Sequence, residues 1–139
     1  FENGAIGTFS CSRVAWNQPN YLQLQVLGTK GRAEWDLARP GEINVADVNS
    51  PAGLGGPRQV LVNPDFPYYG RGSSMPVAGV GLTQIEQFTY QAHAFLQQVA
   101  GVENGLPKCA TFADGYREMR IADAIARSAA NGGATFDVE

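Results

Sequence analysis

Histidine and cysteine are nearly missing from this 139-residue chain: His93 stands alone, and Cys11 and Cys109 are the only thiols. A zinc site needs four close donors, and there is neither a second histidine nor a Cys-x-x-Cys pair, so no metal ligand set is expected. A serine triad would have to rest on His93 alone, which lies near the edge of an apolar helical stripe and reads as structural or surface. Charge is sparse as well. Ten basic against thirteen acidic residues give a net charge of −3, and the basic ones are scattered, which excludes a nucleic-acid or anionic-membrane partner. No stretch reaches the roughly 18 apolar residues of a membrane span, and the start lacks the basic-then-apolar plan of a secretory signal. The chain therefore reads as a cytoplasmic globular domain with both cysteines as buried thiols. The glycines at 53–56, 70–72 and 79–81 complete no G-x-G-x-x-G between a strand and a helix, so no cofactor-binding or catalytic residue is expected.

What is present is a change of period. Asn3-Gly4, flanked by apolar and β-favouring residues, predicts the two-residue primed turn of a hairpin, with Ala5 to Val14 as its second arm. Its first arm is only Phe1 and Glu2. Asn17 to Asn20 reads as a turn into a strand at Tyr21 to Leu27, where Leu22, Leu24 and Val26 share one face and Tyr21, Gln23 and Gln25 the other. Gly28-Thr29-Lys30-Gly31 predicts a tight turn to a second alternating strand, Arg32 to Leu37. Further strands are expected at Ile43 to Val48, Gln59 to Val62 and Ala134 to Val138, with Ser50 to Pro57 as a loop.

From Thr83 the apolar period becomes 3.6. Ile85, Phe88, Ala92, Phe95, Leu96 and Val99 fall on one stripe, Thr83 and Glu86 have capping-box spacing, and Gly101 marks the end. A second helix opens at Thr111 or Phe112 and closes at Gly132-Gly133. The expected fold is α+β: an open, mainly antiparallel sheet with two helices packed on one face, as a single domain over 1–139. Between sheet and helices, Asn63 to Gly81 reads as a long irregular loop. Tyr68, Tyr69 and Arg71 there are the candidate substrate-binding residues, since aromatic faces and a guanidinium suit a polyhydroxylated ligand. Pro64 and Pro67 restrict the first half, and the glycines read as hinges for a lid. The alternative is that the tyrosines only anchor the connection.

FENGAIGTFSCSRVA, LQVLGTKGRAEWDL, AHAFLQQVAG and TFADGYREMRIADAIARSAANGG, in this order and spacing, resemble the C-terminal half of the Gfo/Idh/MocA oxidoreductases, the family of glucose-fructose oxidoreductase and inositol dehydrogenase. The resemblance implies a partner Rossmann domain upstream, carrying NAD or NADP, with the catalytic lysine and the Asp and His of the reaction also preceding Phe1. The missing hairpin arm would then be the strand before it. This chain would supply a wall of the site for a sugar, polyol or inositol-like substrate, bind no cofactor itself, and form a homo-oligomer through the open sheet face around Tyr21, Gln23 and Gln25. A non-catalytic structural module or a free-standing carbohydrate-binding module remain the alternatives.

Overall fold

The computed structural model describes residues 1–73, 75–80, 82–103 and 105–138. Two compact units divide the chain, Phe1–Val62 and Asn63–Glu139. The fold class is α+β, with an open antiparallel sheet followed by helices.

In the first unit β1 (Gln23–Gly28), β2 (Gly31–Asp36), β3 (Glu42–Asp47) and β4 (Arg58–Leu61) form a four-stranded meander in sequence order. The register sorts the side chains by chemistry. Leu24 lies opposite Trp35 and Val26 opposite Ala33, which in turn face Ile43 and Val45, so one face is an apolar row. Trp35 also donates its indole N–H to the Pro40 carbonyl at 3.1 Å, tying the β2–β3 turn to the sheet. Gln23, Gln25, Leu27, Arg32, Glu34 and Asn44 occupy the other face, where the Gln25 amide donates to Glu34 and the Gln59 amide to Glu42. On the edge strand β1, Leu24 is 59% and Val26 56% exposed.

The turn between β1 and β2 is the one the sequence predicts, and it depends on a glycine for a reason the sequence does not show. Gly31 has φ +150°, and a Cβ there would lie 2.1 Å from the Ala46 carbonyl oxygen of β3. The sheet is drawn so close at this point that only a hydrogen fits.

The first twenty residues depart from expectation. Gly4 N–H donates to the Phe1 carbonyl at 2.9 Å, so the central residues of the turn are Glu2 and Asn3, and only Gly4, at φ +80°, adopts positive φ. This is a type I turn closed by a left-handed glycine, the geometry of a three-residue hairpin loop rather than a primed two-residue one. Ala5 to Val14 is not a strand, because no ladder partner exists for it among the described residues. Cys11 is accordingly exposed, not buried, while Cys109 is half-buried. The turn expected at Asn17 to Asn20 sits two residues earlier, with Gln18 N–H on the Ala15 carbonyl and Asn17 taking the positive φ of 56° that asparagine tolerates.

The second unit holds α1 (Pro67–Gly72), α2 (Gln84–Val99) and α3 (Phe112–Ala130). Both long helices start with capping boxes: Thr83 N–H donates to the Glu86 carboxylate at 2.7 Å, and Thr111 N–H to Asp114 at 2.8 Å. Both end on left-handed glycines, Gly101 and Gly132, with Val102 N–H reaching the Gln97 carbonyl and Gly133 N–H the Ser128 carbonyl, as a Schellman motif requires. The expected last strand is absent: 134–138 lacks a ladder and runs as a tail, with the Arg127 guanidinium 4.4 Å from the centre of the Phe136 ring.

Two outcomes follow from these contacts. Replacing Gly31 by alanine must push Ala46 aside from a strained φ, and should cost about 1–3 kcal/mol. Gly28→Ala meets its nearest atom at an ordinary 3.7 Å and should be close to neutral. Paired thermal melts check the contrast. At the helix starts, hydrogen bonds from Thr83 hold the Glu86 carboxyl below its usual value, and those from Thr111, helped by Arg117, hold Asp114 below its own. A depressed carboxyl stabilises the fold above its ordinary pKa and loses that contribution as pH falls through the lowered one. Far-UV circular dichroism should therefore show helix loss in that acidic window, and the Glu86→Gln, Asp114→Asn double variant should show a smaller dependence on pH there.

Candidate functional site

The segment Asn63 to Gly81 is not a structureless loop. Phe66 N–H bonds the Asn63 carbonyl at 3.0 Å and Asp65 N–H the Asn63 side-chain oxygen at 2.9 Å, a turn that delivers Pro67 to the first position of α1. Proline fits there because its missing N–H would be unpaired anyway and its φ is already helical. The glycines that follow are not hinges. A Cβ on Gly70 would stand 2.0 Å from the Pro64 carbonyl oxygen, and one on Gly72 would stand 2.9 Å from Cδ1 of Tyr90. They are the places where α1 presses on the chain before it and on α2. Gly79, at φ +81°, does sit in a turn; Ser74 and Gly81 lie outside the described residues.

Each of the three candidate residues takes a distinct position on α1. Tyr69 is 3% exposed and donates its hydroxyl to the Val77 carbonyl at 2.8 Å, so it ties Val77 back onto the helix. Tyr68 is half-buried and donates to the Pro107 carbonyl at 2.7 Å. Arg71 is exposed, its guanidinium 3.4 Å from where a side chain on Gly105 would begin. Tyr68 and Arg71 thus face the segment between α2 and α3, while Tyr69 points away into the interior.

Beside Tyr68 opens a pocket of about 340 Å³ lined by Gln87, Tyr90, Gln91 and Ala94 of α2 and by Cys109 and Ala110. Sequence reasoning missed these α2 residues. Gln87, Gln91 and Ala94 recur at helical spacing on a stripe next to the apolar one, and that repetition was the available signal. Tyr rings, carboxamides and small methyl groups can take the apolar face of a neutral ring and its hydroxyls. No carboxylate and no histidine is among the lining residues. His93 is outside this lining, with its Nε2 2.7 Å from the Gln97 amide nitrogen and its Nδ1 towards Gly72. Among the described residues no group of three His, Cys, Asp or Glu side chains converges as a metal site would require.

A levoglucosan dehydrogenase of Pseudarthrobacter phenanthrenivorans is 35% identical over 130 residues, which span 94% of this chain and 32% of that protein. The solved structure of levoglucosan dehydrogenase in complex with NADH and levoglucosan superposes with a TM-score of 0.84 at 34% identity, over 95% of this chain and 35% of the other. An oxidoreductase from Sinorhizobium meliloti gives a TM-score of 0.75 at 26% identity, over 91% of this chain and 35% of its own. The chain therefore spans about a third of the length of these relatives. Residues 1–138 match the family described as the C-terminal alpha/beta domain of the oxidoreductase family, and the chain belongs to that Gfo/Idh/MocA C-terminal family.

Proposed function

We propose that this chain is the substrate-wall and assembly domain of an NAD(P)-dependent dehydrogenase acting on a sugar, polyol or inositol-like alcohol. The observation that carries the reading is the match along nearly its whole length to levoglucosan dehydrogenase, which has been solved with NADH and levoglucosan and with NADH and L-sorbose. Oxidation of such an alcohol needs a hydride acceptor held against the carbon and a base at the hydroxyl. The glycines at 70 and 72 are pressed on Pro64 and Tyr90 rather than open to a phosphate, which supports a reading in which the dinucleotide is held elsewhere in the enzyme. Nicotinamide binding and the proton acceptor belong to residues beyond this chain, and its own part is to bind and orient. In that part Tyr68 and Arg71 form the wall, with Tyr69 bracing them from behind.

Expressed with the whole coding sequence that contains it, the protein should reduce NAD⁺ or NADP⁺ with levoglucosan, a hexose or a polyol, followed by nicotinamide absorbance. Arg71→Ala should raise KM by the equivalent of roughly 1–3 kcal/mol if its hydrogen bonds to substrate are buried. A protein that binds sugar calorimetrically but oxidises none of a broad panel is instead a carbohydrate-binding module, the second reading that the tyrosine-and-amide pocket favours. Neither binding nor turnover sinks both.

The polar sheet face is the surface we assign to self-association. Leu27 is 70% exposed on it, directly opposite Arg32. Leu27→Glu places a carboxylate beside that guanidinium within one chain while removing apolar contact between chains. Sedimentation should show a smaller species with an unchanged melting temperature; an unaltered sedimentation coefficient rejects this face as the interface.

A further inference from the structure

The pocket beside Tyr68 has a lining of one chemical kind. Gln87, Tyr90, Gln91 and Ala94 stand at i, i+3, i+4 and i+7 on α2 and so share one helix face. Tyr90 and Ala94 are buried and give the pocket an apolar floor, while Gln87 is half-buried and Gln91 exposed. Tyr68 is held by the bond its hydroxyl donates to the Pro107 carbonyl, and its oxygen keeps lone pairs that can accept. No described residue hydrogen-bonds the carboxamide of Gln87 or of Gln91, which leaves two N–H donors and a carbonyl on each for water or a ligand. No lysine, arginine, aspartate or glutamate is among the lining residues, and the Arg71 guanidinium stands by Gly105, outside them.

We infer that this pocket takes one neutral polyhydroxylated ring, and that Gln87 and Gln91 are the residues that select it over a sugar acid or a sugar phosphate. The inference sharpens the proposed function and rests on it, since it takes this domain to be a wall of the substrate site. A hydroxyl both donates and accepts, as a carboxamide does. Two carboxamides one helical turn apart can therefore each pair with hydroxyls of a ring whose C–H face lies on the tyrosines. A carboxylate or phosphate group seated there would give up water and meet only amide and phenol dipoles, with no cation in the lining to offset the loss. The volume of about 340 Å³ lies near the lower end of the roughly 300–1,000 Å³ of small-molecule sites, which suits a single ring rather than an oligosaccharide.

The test uses the full-length protein with Gln87→Leu, Gln91→Leu and Gln91→Arg, all exchanges between good helix formers on a helix side that is not fully buried. Each leucine variant should raise KM for levoglucosan or myo-inositol roughly three- to tenfold, the factor expected from one neutral hydrogen bond, with kcat within about twofold of the parent. Gln91→Arg supplies the missing cation and should raise kcat/KM for glucuronate relative to glucose by roughly tenfold or more. An unchanged KM in both leucine variants overturns the assignment, and so does an unchanged glucuronate-to-glucose ratio in Gln91→Arg. Saturation-transfer NMR with the same sugars reads binding without turnover, so a protein that oxidises no sugar still decides the matter. A levoglucosan or myo-inositol signal that fades in the leucine variants upholds the pocket even where the dehydrogenase reading fails. A signal as strong for glucuronate as for the neutral rings in the parent protein, or none for any neutral ring, overturns it.

Discussion

The closest constraint in the second unit is the absence of two side chains. Gly70 and Gly72 let a single short helix lie with its backbone against the Pro64 carbonyl and against the ring of Tyr90: a Cβ at 70 would run into the carbonyl oxygen, and one at 72 would crowd the ring. From that docking the rest follows. Because α1 is held on α2, Tyr69 is driven inward to satisfy its hydroxyl on the Val77 carbonyl, and Tyr68, one residue before, is turned towards Pro107. A helix of six residues has no stability of its own in water and exists only because its packing offsets the cost of nucleation. The site is thus specified by a contact between backbone and neighbour more than by any pair of side chains.

Electrostatics play a local part. The four ion pairs among the described residues involve exposed or half-exposed groups, and pairs of that kind contribute little each. What the charges do is sort direction. Acidic residues stand in the first turns of α2 and α3 and Arg127 in the last turn of α3, matching the sign of the helix dipole at each end. On the sheet, Glu34 and Glu42 accept from glutamines of adjacent strands, which fixes the register of a face that apolar packing does not fix.

Where local chemistry alone decides, the sequence was enough. The alternation around Gly28 to Gly31 gives β1 and β2 to within two residues at either end, and Thr83 with Glu86 gives the start of α2 because a capping box is complete within four residues. The errors have one origin. Ala5 to Val14 and Ala134 to Val138 have β-favouring composition, yet a strand is a relation to a partner, and composition carries no information about the partner. The same holds in reverse for α1: prolines and glycines read as breakers, and only the neighbours at 64 and 90 turn them into a helix start and two close contacts. Tyr68, Tyr69 and Arg71 were legible as unusual residues, but not that they would point in different directions. The pocket on α2 was harder still, since glutamines on a helix usually signify only a solvated face.

Strand order in the sheet repeats strand order in the chain, β1-β2-β3-β4, with every pairing made to an immediate neighbour. Such a topology has consequences in time. Each ladder closes a loop of a few to some ten residues, so the entropy lost at each step is small and is repaid before the next begins. During synthesis the hairpin across Gly28 and Gly31 can pair as soon as Asp36 emerges, and each later strand finds its template already waiting. The sheet is built in the order in which the ribosome delivers it, and its growing edge moves away from β1 with every strand added. What stays open throughout is the far side of β1, whose backbone groups keep no ladder partner among the described residues, and that edge is where a nascent chain of this kind is most prone to pair with another.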